Sequence, residues 1–141
     1  MSGEAPTLCV GAVVVDDDRL LLVRRGHGPA AGTWAVPGGR VRAGETLAEA
    51  VTRELREETG VEGVCGTLLG WVELLADQSR GIDEHLVIMD FRVDLLESSE
   101  VTAGDDATEA RWVPLVDVAE LRLAPGLAEF LHDHAVIATI T

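Results

Sequence analysis

Apolar runs separated by short polar segments dominate the first third of the chain and predict strands. Residues 8–15 form a continuous apolar run rich in valine, which is typical of a buried strand. A turn of three aspartates follows, and residues 19–25 then predict the returning strand of a hairpin. Residues 26–33 are rich in glycine and predict a loop, and residues 34–36 predict a short extended segment.

The middle of the chain changes to a helical pattern and predicts one long helix over residues 47–59. Thr46 and Glu49 have the spacing of a capping box, in which each side chain binds the backbone N–H of the other residue. Apolar side chains recur every four residues through this segment and give the helix one apolar face. Gly60 provides the signal that ends the helix.

The second half of the chain returns to strands and adds short helices. Two long apolar-rich strands flank a polar loop, and a short strand precedes two short helices that begin near prolines. We expect the long strands over 64–76 and 84–95, the short strand over 110–113, and the helices over 115–121 and from 125 onward. Strands with few helices predict an α+β fold in which helices cover a mixed sheet.

Length and composition indicate an ordinary globular protein, and charge restricts its partners. The chain has 141 residues, of which 47% are hydrophobic, so we expect a single domain over residues 1–141. We see neither a membrane span nor a secretory signal, and therefore expect a cytoplasmic protein without a membrane partner. The net charge of −14 argues against a nucleic acid polymer as partner. A small anion would need local arginines or a bridging cation.

Three glutamates of the predicted helix lie close together on its surface. At about 100° per residue, Glu58 lies within about 40° of Glu54, and Glu57 within about 60° of Glu54 on the other side. Such a cluster is either a solvated acidic face or a site for a cation. Oxygen ligands at this density suit Mg²⁺ or Mn²⁺ rather than zinc. The carboxylates alone leave both interpretations open.

The residues around this cluster follow a known signature. Between Gly39 and Val61 the chain resembles, at every defined position, the G-x5-E-x7-R-E-U-x-E-E-x-G-U box of the Nudix hydrolases, where U is a bulky aliphatic residue. The preceding Trp34–Gly39 segment is similar to the usual lead-in of that family. The order of elements outside the box also resembles the family over most of the chain.

The resemblance implies both a fold and an activity. The expected fold is the Nudix α/β/α sandwich, with a mixed central β-sheet and a box that forms a loop–helix–loop. The expected reaction is hydrolysis of a nucleoside diphosphate linked to another group X, in which water attacks one phosphorus. Mg²⁺ is the implied cofactor, with Mn²⁺ as a substitute, and a small nucleotide is the implied partner.

The resemblance also assigns roles to the residues of the box. The implied metal ligands are the carboxylates of Glu54, Glu57 and Glu58 and a backbone carbonyl of Gly38 or Gly39. Arg53 and Glu45 are expected to form an ion pair that fixes the loop against the helix and orients the carboxylates. The general base is either Glu54 or an acidic residue of the 104–109 loop, of which Asp106 is the main candidate. An ordinary acidic surface turn remains an alternative for that loop.

Candidates for substrate contacts lie outside the box, except for Arg40 in the box loop, and each has a plain structural alternative. Arginines can hold phosphate groups, an aromatic ring can stack on a base, and a histidine can contact substrate. The candidates are Arg24, Arg25, Arg40 and Arg80 for phosphate, Trp34 for stacking, and His85. The alternatives are solvated arginines, a core tryptophan and a surface histidine.

The substrate itself is only weakly indicated. The strand from His85 to Phe91 and the segment from Asp105 to Trp112 look similar to the smaller ADP-ribose pyrophosphatases of the family, so ADP-ribose or a similar derivative is expected. A (d)NTP pyrophosphatase that releases pyrophosphate is the alternative enzyme, and a nucleotide sensor without turnover is the alternative class. A homodimer that pairs through an exposed N-terminal strand is also considered.

Overall fold

Two four-stranded sheets and the helices packed on them make up the part of the chain that the computed structural model describes, residues 5–28, 30–97, 101, 104 and 107–138. The strands are β1 (Thr7–Val13), β2 (Val15–Asp16), β3 (Arg19–Arg25), β4 (Trp34–Ala35), β5 (Gly38–Arg40), β6 (Gly63–Leu74), β7 (Leu86–Leu95) and β8 (Ala107–Pro114). The α-helices are α1 (Leu47–Thr59) and α2 (Leu127–Asp133), and 3₁₀ helices span Gln78–Arg80 and Leu115–Glu120.

The first sheet is the mixed sheet that the sequence predicts. Its strand order is β5-β1-β7-β6, with β1 parallel to β7 and the other two pairs antiparallel. The second sheet is antiparallel and joins β2, β3 and β4, with β8 along the other side of β3. Pairing with β3 extends β8 on both sides of the short strand expected over 110–113.

The predicted hairpin near the N-terminus forms only in part. Asp17 and Asp18 adopt positive φ angles of 53° and 58° in the turn, but only Val15 and Asp16 pair with β3. β1 itself joins the other sheet, between β5 and β7. Because β1 is an inner strand, the expectation that it is an exposed edge available for dimer pairing is wrong.

Helix α1 forms over the predicted residues, with the predicted caps. The Thr46 side chain accepts from the backbone N–H of Glu49, and the Glu49 side chain accepts from that of Thr46. Gly60 has φ 74°, the left-handed conformation that glycine adopts without strain, and its N–H binds the carbonyl of Arg56. Among the helices of the described residues, none combines the length and hydrophobicity needed to cross a membrane.

Alternating side chains of β1 divide the interior into two apolar clusters. Val10 and Ala12 pack toward Val51 and Leu55 of α1 in one cluster. On the opposite face, Val13 belongs to a second cluster with side chains of β3, β8 and α2. Helices thus cover both sides, as the α/β/α expectation requires. Other side chains on the face of the mixed sheet opposite α1 form the floor of a cleft.

Candidate active site

The guanidinium of Arg53 connects three carboxylates at the centre of the site. Its Nε and Nη2 atoms donate to the two oxygens of Glu45 at 2.5 and 2.9 Å, a bidentate ion pair. Its Nη1 atom donates to Glu54 at 2.6 Å and to Glu57 at 2.9 Å. Its Nη2 atom also reaches the carbonyl of Arg40 at 3.1 Å. The expected ion pair of Arg53 with Glu45 is therefore present.

Glu45 fastens the loop before α1 to the helix. Hydrogen bonds from Arg53 lower its pKa to about 2, and the backbone N–H of Arg42 adds to this effect by donating to Glu45 at 3.0 Å. In return, the hydrogen bond to Glu45 raises the pKa of Arg53, although burial opposes the shift. Because the pKa of Glu45 is lowered and that of Arg53 is raised, this pair remains ionised in the pH range of enzymes.

Glu54 and Glu58 point from α1 toward the glycines of β5. Glu58 accepts a hydrogen bond from the backbone N–H of Gly38 at 2.7 Å. The Glu54 carboxylate lies so close to Gly39 that any side chain at that position would collide with it. Burial raises the pKa of Glu54, while its hydrogen bond from Arg53 lowers the pKa and only partly compensates. Two acidic side chains and the backbone of two glycines therefore meet at the edge of the mixed sheet.

This donor set fits a hard divalent cation by its chemistry. Carboxylate and carbonyl oxygens are the ligands that Mg²⁺ and Mn²⁺ prefer, and glycines let the backbone approach the carboxylates closely. The desolvated Glu54 lies beside acidic neighbours, an arrangement that a cation relieves. Within the described residues, however, no three His, Cys, Asp or Glu side chains are already assembled as a metal site. Arg53 and the Gly38 N–H hold the carboxylates instead.

A cleft of about 640 Å³ opens beside these groups. Gly38, Gly39, Glu54 and Glu58 line one side of it, whereas Glu57 is not among its lining residues and is 48% exposed. The floor comes from the face of the mixed sheet opposite α1. The lining residues of that floor include Cys9, Gly11, Val72, Leu74, Leu86, Ile88 and Asp90.

Three of the predicted phosphate-binding arginines line the cleft. Arg25 lies at its wall and makes no ion pair among the described residues. Arg24 is 3.6 Å from Glu109, and both side chains are largely exposed. Arg40 is held at 2.5 Å by Glu84, which also accepts from the hydroxyl of Thr7. Among the described residues, Arg25 is thus the one of these three arginines that faces no carboxylate in an ion pair.

The other predicted substrate contacts lie away from the cleft. Trp34 is 6% exposed in the core, and the guanidinium of Arg111 lies 4.7 Å from its ring centroid, which favours the core alternative over stacking on a base. His85 hydrogen-bonds Glu73 at 2.7 Å and is not among the lining residues. Arg80 lines a neighbouring depression of about 370 Å³ together with Arg122.

The alternative general base, Asp106, lies outside the described residues. Gly104, two positions earlier, donates its backbone N–H to the carbonyl of Glu58 at 2.9 Å. A side chain on Gly104 would collide with the carbonyl of Glu57. The described part of this loop thus contacts the end of α1 that carries the candidate ligands.

Asp90 is a cleft residue that the sequence analysis did not single out. It is 3% exposed, and burial raises its pKa from 3.8 to about 7. Its Oδ1 atom has no hydrogen-bond partner. The signal was present in the sequence, because Asp90 is the one acidic residue inside an apolar stretch of residues 86–91.

Comparison with known proteins agrees with the fold and with the box. The sequence profile of the NUDIX domain family matches residues 5–134. The chain therefore belongs to this family, and its α/β/α fold with a mixed central sheet is confirmed. The NUDIX domain of Shewanella oneidensis NrtR, solved in complex with ADP ribose, has a TM-score of 0.78 and 27% identity. It matches 95% of this chain and 88% of that domain.

Curated relatives carry more than one activity. An ADP-ribose pyrophosphatase of Methanocaldococcus jannaschii is 37% identical over 116 residues, which cover 82% of this chain and 66% of that protein. The chain thus spans slightly less than two thirds of that relative. An isopentenyl-diphosphate Delta-isomerase of Cereibacter sphaeroides is 30% identical over 141 residues, which cover 90% of this chain and 77% of that enzyme.

Proposed function

We propose that this protein is a metal-dependent pyrophosphohydrolase that cleaves the diphosphate of ADP-ribose or a similar nucleoside diphosphate derivative. The observation that carries the proposal is the meeting of Glu54 and Glu58 with Gly38 and Gly39 at the side of a large cleft. The relative named ADP-ribose pyrophosphatase and the structure solved with ADP ribose support the choice of substrate.

In this proposal, Glu54, Glu58 and a carbonyl of Gly38 or Gly39 hold Mg²⁺ or Mn²⁺, with Glu57 acting directly or through water. The cation supplies charge neutralisation of the diphosphate and activation of water. Arg53 keeps Glu54 and Glu57 in place, and Glu45 keeps Arg53 in place. Either Glu54 or Asp106 takes the proton of the attacking water.

Arg25 is the proposed phosphate contact in the cleft, and Arg24 and Arg40 are secondary ones because each faces a carboxylate. A bound anion competes with Glu109 and Glu84 for these two guanidinium groups. The net charge of −14 makes such local cations, and the divalent ion, necessary for binding a diphosphate.

A panel of compounds tests the proposal. ADP-ribose, representative (d)NTPs and isopentenyl diphosphate are incubated with the purified protein, with Mg²⁺ or with EDTA, and products are separated by chromatography. We expect ADP-ribose to give AMP and ribose 5-phosphate only with the metal. Release of pyrophosphate from dNTPs, without turnover of ADP-ribose, would instead support the alternative of a (d)NTP pyrophosphatase. Tight binding of nucleotide without turnover of any compound would support the sensor.

Two further expectations stay predictions. A cytoplasmic location is tested by fractionation of the source cells, and a homodimer by light scattering of the purified protein. If a dimer forms, the edge strand β6 is a better candidate than β1, since Trp71 on β6 is 60% exposed and Val64 is 52% exposed.

A further inference from the structure

A single carboxyl group lies on the otherwise apolar floor of the cleft. Ile88 precedes Asp90 by two positions on β7, and Val72 of β6 pairs with Ile88. Both apolar side chains line the cleft. Asp90 is in register with Gly11 of β1 on one side and with Gly70 of β6 on the other. Both of its direct neighbours in the sheet are therefore glycines. The Asp90 carboxyl lies against Gly11, whereas the ring of His134 lies against Gly70.

The Asp90 carboxyl occupies the space that Gly11 leaves free. A Cβ atom at Gly11 would collide with Asp90 Oδ1 and would lie 3.1 Å from Val36. Oδ1 is buried without a hydrogen-bond partner, and no hydrogen bond or ion pair of Asp90 is found among the described residues. A buried polar group without a partner is costly, and a ligand that donates a hydrogen bond to it removes that cost.

The chemistry of the surroundings restricts what such a ligand can be. A phosphate group is disfavoured because it accepts hydrogen bonds and repels a carboxylate. A divalent cation needs several oxygen ligands, and the floor residues named around Asp90 are apolar residues and glycines. The unpaired Oδ1 fits an N–H or O–H donor, such as the nucleoside of a nucleotide carries on its base and on its ribose.

The position of Asp90 agrees with a nucleoside contact. In the sheet, Gly38 of β5, Gly11 of β1 and Asp90 of β7 follow one another across neighbouring strands. Two strand spacings place the backbone of Asp90 about 10 Å from that of Gly38. A nucleotide whose phosphates lie near Gly38 can therefore extend its nucleoside across the sheet to Asp90.

We propose that Asp90 determines substrate specificity by accepting a hydrogen bond from an N–H or O–H donor of the nucleoside part of the substrate. This inference rests on the proposed function, because it takes the diphosphate to lie at Gly38, Gly39, Glu54 and Glu58. It adds a residue outside the box that distinguishes one nucleoside from another.

The test compares substrates that have or lack a given donor. Wild type, Asp90→Ala and Asp90→Asn are assayed with Mg²⁺ on ADP-ribose, on IDP-ribose, which lacks the amino group of adenine, and on 2′-deoxy-ADP-ribose. We expect Asp90→Ala to lose tenfold or more in kcat/KM on ADP-ribose, mainly through KM. The loss should disappear with the analogue that lacks the contacted donor, which separates base from ribose.

Two other variants control for indirect effects. Asp94→Asn changes an exposed aspartate of the same strand and should leave all three substrates unaffected. Gly11→Ala keeps the Asp90 carboxyl but displaces it, and should reproduce the loss on ADP-ribose. Thermal unfolding checks that Asp90→Ala and Asp90→Asn are folded; the removal of a buried, unpaired carboxyl is not expected to unfold the protein.

Equal losses on these three substrates and on 3′-deoxy-ADP-ribose would overturn the proposal, because they would place Asp90 in the reaction itself or in the fold. Unchanged kinetics in Asp90→Ala would overturn it as well. If the wild type hydrolyses no nucleotide, the proposed function fails, and calorimetric binding of AMP, IMP and 2′-deoxy-AMP still tests Asp90. Equal affinities of wild type and Asp90→Ala for AMP would then refute the nucleoside contact.

Discussion

Arg53 is the residue on which the geometry of the candidate site depends most directly. One guanidinium group holds Glu45 with two hydrogen bonds and still reaches Glu54 and Glu57. A lysine has a single compact charge and cannot reproduce this fork. The R-E-x-x-E-E spacing on one helix thus has a physical reason, because residues one and four positions away from Arg53 fall within its reach.

The two glutamates beside the glycines should carry most of the activity. We expect Glu54→Gln and Glu58→Gln each to lower kcat by a factor of about 10² or more, the effect of losing a positioned acid, base or electrostatic group. Steady-state kinetics on the best substrate of the panel measure this. Glu120→Gln, an exposed glutamate of the Leu115–Glu120 helix, serves as the control. Wild-type rates in both cleft variants would contradict the site.

Asp90 should make the stability of the protein depend on pH in a defined direction. Burial raises its folded pKa from 3.8 to about 7, so the folded state keeps a proton that the unfolded state has released. The contribution of Asp90 to the free energy of unfolding is therefore greatest below about pH 4 and is lost as the pH rises through 7. Asp90→Asn cannot lose that proton.

Denaturant unfolding in EDTA at several pH values checks this sign. Relative to wild type, Asp90→Asn should gain roughly 1.4 kcal/mol in unfolding free energy for each pH unit between 5 and 7. Asp94→Asn, on the exposed face of the same strand, should follow the wild-type profile. A constant difference between wild type and Asp90→Asn would show that Asp90 titrates normally.

At the scale of elements, helix α1 is specified by local signals and then fixed in place by the loop before it. The capping box at its start and Gly60 at its end are both formed as the sequence indicates. The Arg53–Glu45 pair adds a contact between the helix and the loop that follows β5. The glutamates are therefore presented by a helix whose start, end and rotation are all determined.

The cap offers a direct test of this local specification. Thr46→Ala removes the acceptor for the Glu49 N–H and should lower the unfolding free energy by about 1 kcal/mol. Thr52→Ala, in the middle of the same helix, should have a neutral or slightly stabilising effect, since alanine has the higher helix propensity. Chemical denaturation of both variants gives the comparison. Equal effects would show that the capping box contributes no stability.

The sheets were less predictable from local sequence than the helix. Residues 8–15 and 19–25 look like a hairpin, yet β1 and β3 belong to different sheets. The run of apolar residues identifies each strand but does not identify its partner, because any long apolar strand can pair with several others. Pairing of β1 with β7 and of β3 with β8 depends on contacts between distant parts of the chain.

For the whole molecule, charge is the main constraint on binding. A net charge of −14 opposes a polyphosphate substrate unless cations are supplied locally. In the proposed function, a divalent cation held by the box glutamates would reduce this repulsion at the place where the diphosphate would bind. The expectation of one domain over residues 1–141 remains a prediction, and the family profile covers residues 5–134 of it.

The cation should also stabilise the folded protein. Because a ligand that binds only the folded state shifts unfolding by mass action, Mg²⁺ at about 100 times its Kd should add about 2.7 kcal/mol. We expect Tm to rise with millimolar MgCl₂ but less with NaCl at equal ionic strength, which screens the net charge alone. In Glu58→Gln the two salts should become nearly equivalent. An identical response of wild type to both salts would argue against a specific metal site.

The sequence by itself determined the helix, its caps, the family and the identity of the box residues, because each of these depends on spacing within one short segment. The tertiary structure alone decided which strands pair and which side chains share the cleft. In the structure, Trp34 and His85 lie outside the lining of the cleft, whereas Arg25 lines its wall and Asp90 its floor. Those outcomes depend on the register of strands far apart in the chain, and local pattern carries little information about register.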